Sequence, residues 1–119
     1  MNLHPQQPTL QQMALADKRD EAAIRAVLSS KPLNPIYLWH APSVPTFANA
    51  YLLAKEHGIT KVSSEVSQAS NGDYVAIVRL QYPATKSIRA GAGRHTDPLI
   101  ARGFGFRNSV RQLLVEIIP

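Results

Sequence analysis

The 119-residue chain contains no cysteine, which excludes disulfides, thiolate metal sites and a cysteine nucleophile, and fits a reducing compartment. No apolar run approaches the roughly 20 residues that a membrane span needs, and no charged-then-apolar leader opens the chain. The expectation is a cytoplasmic protein without a membrane partner. Catalytic patterns are equally scarce. His4, His40, His57 and His95 are scattered, with no two at metal-ligand spacing on one element, and no paired carboxylates or Ser-His-Asp layout stand out. A non-enzymatic protein with no metal and no cofactor is therefore expected. Charged residues make up only 18% and aromatics 7%, but an apolar fraction of 45% suffices for an ordinary core, and the length suits one domain.

What the chain does have is charge gathered in one place. From Arg79 onward there are seven Lys or Arg (Arg79, Lys86, Arg89, Arg94, Arg102, Arg107 and Arg111) against two acids, whereas residues 1–78 hold six of each. The formal net charge of +5 is thus confined to the C-terminal third, and with a pI near 9.9 it favours a polyanionic partner such as nucleic acid. These seven cations are the candidate nucleic-acid-binding residues. A solvated polar face is the competing account of the same charges.

In chain order, residues 1–8 form a polar, proline-containing leader expected to be flexible, and residues 9–119 form the single domain. Thr9 caps a helix over 9–30, with Gln12 in the capping-box place and an apolar stripe (Ala16, Ala23, Ile24, Val27, Leu28) interrupted by Asp17-Lys18-Arg19-Asp20-Glu21. Such a helix docks on the domain or on a partner. Pro32 and Pro35 end it, and Ile36-Tyr37-Leu38-Trp39 reads as a short strand or anchoring segment whose tryptophan is a core or a base-stacking residue.

A second helix starts near Ser43 or Thr46, carries Phe47, Ala48, Tyr51 and Leu52 at helical spacing, and stops at Gly58. Three strands follow, over 59–68, 73–82 and 86–95, the first two joined at Asn71-Gly72. In the third, Ile88, Ala90 and Ala92 share one face, and Arg89, Gly91 and Gly93 the other. Arg79 and Arg89 are expected together on a polar sheet face toward solvent or a partner. Asp97-Pro98 opens the last helix, where Gly103 and Gly105 predict a kink or an interruption, and where Arg102, Arg107 and Arg111 lie largely off an apolar face that includes Leu99. The predicted fold class is α+β: a three-stranded antiparallel meander with helices packed on one face, α-β-β-β-α over 43–118, preceded by the N-terminal helix.

Three short motifs are incomplete. Arg102-Gly103-Phe104-Gly105-Phe106 resembles the opening of the aromatic strand motif in RNA-recognition-motif domains, but Arg107 and Ser109 stand where a β-branched residue and a further aromatic should follow. Gly91-Ala92-Gly93 lacks the terminal Gly-Lys-Ser/Thr of a phosphate loop, which leaves close packing or a strand-end bend. In His95-Thr96-Asp97 the acid could orient the histidine, though Asp97 serves better as a helix cap.

The element order over residues 43–115 is similar to the double-stranded-RNA-binding domain and to the related core of single-strand-annealing recombination proteins. In annealing proteins of the eukaryotic and phage type the last helix often carries an Arg with a second Arg four positions on, amid small and apolar residues. Phe106-Arg107-Asn108-Ser109-Val110-Arg111-Gln112-Leu113 looks like that. Arg94-His95-Thr96-Asp97 replaces the paired lysines that the RNA-binding domain has there, which favours the annealing side of the resemblance. What the resemblance implies is nucleic-acid binding through a basic strand-helix surface, with single-stranded DNA favoured, RNA the other candidate, and self-association into a homo-oligomer lengthening the site. The alternative is a non-enzymatic oligomerisation or protein-interaction module whose N-terminal helix mediates assembly.

Overall fold

A computed structural model describes residues 10–28 and 46–117. The leader, the Thr9 cap, Pro32, Pro35, the 36–39 segment with Trp39, and Ser43 lie outside the described residues. The elements are α1 (Leu10–Leu28), α2 (Phe47–Glu56), β1 (Thr60–Gln68), β2 (Tyr74–Tyr82), β3 (Ser87–His95) and α3 (Pro98–Ile117). The strands form one sheet in the order β1-β2-β3, both pairings antiparallel, so the architecture is the expected α+β meander.

Local chemistry sets the boundaries. The Thr46 hydroxyl accepts the Asn49 N–H at 3.2 Å and starts α2, and Gly58, at φ +66°, takes the left-handed conformation that ends it. Between β1 and β2 the Asn71 side chain accepts the Asp73 N–H at 3.1 Å, and Gly72 turns the chain at φ +93°. Asp97 caps α3 as expected: its carboxylate accepts the Leu99 N–H at 2.9 Å and its carbonyl the Ala101 N–H at 3.0 Å.

The helices pack on the sheet face that carries Ala76, Val78 and Leu80. Ala50 and Ala54 of α2 meet Val78, Leu80 and the α3 residues Val110, Leu113 and Leu114. Ala23 and Ile24 of α1 meet Phe47, Ile100 and Phe104, and Phe106 packs against both groups. Burying Leu80, Ile100 or Leu113 in full stabilises the fold by about 1.5–3 kcal/mol each.

The register corrects the expected pairing of Arg79 with Arg89. Arg89 lies opposite Leu80 and Gly91 opposite Val78, on the helix-covered side. Arg79 lies opposite Ala90 on the open side, with Val75, Ile77, Ile88 and Ala92. The two arginines therefore occupy opposite faces of the sheet. Which side of β3 turns inward is decided by how closely α3 approaches. A Cβ on Gly91 would overlap the backbone of Ser109 and Gly105, and one on Gly93 the backbone of Ala101. β3 thus buries its glycines and exposes Ile88, Ala90 and Ala92.

The glycines of α3 do not interrupt it, because the helix runs unbroken from Pro98 to Ile117. Its glycines make room for neighbours. A Cβ on Gly105 would sit 2.9 Å from Val78 Cγ2, and one on Gly103 would meet the Ile24 side chain at 2.5 Å from Cγ1. Leu99 leaves the apolar face expected for it and is 46% exposed.

Candidate nucleic-acid interface

The polar turn that interrupts the α1 stripe is a docking surface. Asp20 is 1% exposed, and its carboxylate accepts the Phe47 N–H at 2.9 Å and Arg107 Nη1 at 2.7 Å. The same Nη1 donates to Asp17 at 2.6 Å, and the guanidinium lies over the Phe104 ring, 4.7 Å from its centroid. Arg107 thereby ties α3 to α1, and Asp20 ties α1 to both α3 and the start of α2. Burial raises the Asp20 carboxyl above its ordinary value of 3.8, against the opposing pull of the hydrogen bonds from Arg107 and from the Phe47 N–H.

A second tie runs from β3 to the same turn. His95 Nδ1 accepts the Asp97 N–H at 2.9 Å, so the ring proton sits on Nε2 and is donated to Glu21 at 2.8 Å. This is where the His95-Asp97 motif is used: the backbone of Asp97, not its carboxylate, orients the ring.

The seven candidate cations divide into two groups. Arg107, expected on the exposed side of α3 with Arg111, has a side chain only 11% exposed between Asp17 and Asp20, because acids on a distant helix neutralise it. Arg94 pairs with Asp73 at 3.1 Å, and Arg79 reaches Glu65 at 3.8 Å and the Ser63 hydroxyl at 3.4 Å. These three are matched with acids. Lys86, Arg89, Arg102 and Arg111 are exposed and have no acid partner among the described residues. Lys86 stands in the β2–β3 turn at φ +61°, Arg89 on β3, and Arg102 and Arg111 on α3. The latter two elements are bound to each other directly: the Ser109 hydroxyl donates to the Arg89 carbonyl and the Asn108 amide to the Ala92 carbonyl, each at 2.7 Å.

The aromatic motif takes no part as a strand, since Phe104 and Phe106 lie on α3 and Phe104 is buried. Lys61 is a cation that the local charge count passed over, because it belongs to the neutral first two thirds of the chain. It is exposed on β1 opposite Leu80, and a cleft of about 370 Å³ that it shares with Arg102 opens between α3 and β1. Strand alternation does not signal it, because a register shift between Lys61 and Ser63 is what puts Lys61 on the same face as Ser64. Among the described residues no three His, Asp or Glu side chains are grouped to hold a metal ion, and no helix is long and apolar enough to cross a membrane. Comparison with protein-family models, with curated proteins and with solved structures returned no match.

Proposed function

We propose that this chain is a nucleic-acid-binding module, with single-stranded DNA favoured and RNA the other candidate, that holds the phosphate backbone on Lys86, Arg89, Arg102 and Arg111. One observation carries the reading: with Arg79, Arg94 and Arg107 in intramolecular ion pairs, four exposed cations without an acid partner among the described residues remain on α3, β3 and the turn before it. Bound phosphates would release counterions, so affinity must fall with salt. Four contacts to a single strand correspond to a slope of about −3 in log K against log salt. The role is binding and not catalysis, and annealing follows where two loaded copies meet. Fluorescence anisotropy of a labelled oligonucleotide across a salt series tests this. Absence of binding at low salt rejects it.

A second reading rests on the open sheet face. Val75, Ile77, Ala90 and Ala92 line it together with Ile88, which is 46% exposed, and no helix covers them among the described residues. That surface suits an oligomerisation or protein-interaction module with no nucleic-acid role. Light scattering of the wild type and of Ile88→Glu separates the two. A dimer abolished by the substitution, in a protein that binds no oligonucleotide, supports the second.

A further inference from the structure

The helical layer covers β3 and β2 but stops short of β1, and the cleft of about 370 Å³ marks where it ends. Its walls are unlike one another. The depth is apolar and aromatic, with Phe47, Tyr51 and Phe106 in one ring cluster: Phe47 and Tyr51 are stacked at 6.2 Å between centroids, and Phe47 and Phe106 meet edge-on at 5.8 Å. The rim carries Arg102 from α3 and Lys61 from β1, both exposed and both without an acid partner among the described residues.

We infer that this cleft is a base pocket: it takes one unstacked nucleobase of a single strand against Tyr51 and Phe106, while Lys61 and Arg102 hold the phosphates on either side of that nucleotide. The inference rests on the proposed nucleic-acid binding and goes further, because it assigns one nucleotide a site and adds Lys61 to the surface. The ligand class follows from the lining. A flat, uncharged aromatic group matches the rings, and the volume lies in the range of small-ligand sites, about 300–1,000 Å³. Two cations on separate elements suit an anion that continues on both sides of the buried group, as a phosphodiester chain does. An apolar chain ending in one carboxylate needs only one of them. Arg102 also belongs to the proposed strand-binding set, so the pocket and that set share one cation.

The test compares a labelled oligothymidylate with an abasic strand of the same length, by anisotropy at fixed salt, for the wild type, Tyr51→Ala, Lys61→Ala and Arg111→Ala. The expected result is about tenfold tighter binding of the base-bearing strand, in line with the contribution of one stacked base. That preference falls to about twofold in Tyr51→Ala. Lys61→Ala weakens both strands, and Arg111→Ala weakens both while leaving the preference intact. Photocrosslinking of a 5-iodouracil strand to the wild type, which needs no variant to fold, should map to the peptide containing Tyr51 or the one containing Phe106. Equal, salt-sensitive affinity for the two strands, or crosslinks mapping elsewhere, overturns the base pocket and leaves strand binding in place. Equal affinity together with uptake of dodecanoate that Tyr51→Ala abolishes gives the cleft to an apolar carboxylate instead. Absence of binding to both strands at low salt removes the base pocket together with the nucleic-acid reading.

Discussion

Arg107 and Asp20 stand 87 residues apart in the chain and meet at 2.7 Å, with the carboxylate buried and the guanidinium nearly so. Removing one partner of a buried pair leaves the other charge without compensation, at a cost of about 3–5 kcal/mol. Arg107→Ala should therefore lower unfolding stability by about 3 kcal/mol in a urea titration, and oligonucleotide binding should fall with it. Arg111→Ala, four residues on and exposed, should weaken oligonucleotide binding with the urea midpoint unchanged. A loss of binding in Arg107→Ala at full stability would instead mean that this arginine contacts phosphate.

Asp20 gives the fold a pH dependence of known sign. Its carboxyl is raised above 3.8 by burial, so the folded state holds the proton more tightly than the unfolded one. The resulting stabilisation is complete below the unfolded value and is lost as pH rises through the folded value. Asp20→Asn keeps an oxygen to accept the Phe47 N–H but cannot titrate. The stability difference, wild type minus Asp20→Asn, should fall with rising pH above 3.8 and level off beyond the folded value. Urea titrations at a series of pH values measure it. A difference that grows with pH would contradict the sign.

The glycines of β3 and of the first hairpin should respond differently to alanine. Gly91→Ala would place a methyl group into the backbone of α3, which cannot move aside as a side chain does. A loss at or above the upper end of the ~1–3 kcal/mol range for overpacking is expected, and thermal unfolding would show it. Gly72→Ala meets open space and only the left-handed backbone strain, about 1–2 kcal/mol.

Ser109 is buried, and its hydroxyl satisfies the Arg89 carbonyl at 2.7 Å. Ser109→Ala leaves that acceptor without its partner at a cost of about 1–3 kcal/mol. Hydrogen exchange should show the loss along β3 before it appears in β1. Uniform loss across the sheet would mean that the contact is not local.

Legibility in the sequence followed the range of the interactions. The three strands, the Asp97 cap and the Gly58 stop rest on neighbours a few residues away, and the expected boundaries match to within a residue. The inward face of β3 could not be read that way. Hydrophobic alternation favours burying Ile88, Ala90 and Ala92, and only the proximity of a helix that begins later in the chain makes glycine the inner residue. The fate of the arginines was hidden for the same reason. Nothing near Arg107 announces that Asp17 and Asp20 will reach it, and the polar turn of α1 looked like a gap in an apolar stripe when it is the contact itself.

That contact also decides how α1 belongs to the rest of the fold. Asp20 accepts from both Arg107 and the Phe47 N–H, and Glu21 from His95, so α1 is positioned by groups on α2, α3 and β3. Gripped by three separate elements, α1 should open together with the sheet in one cooperative unit instead of fraying from it independently.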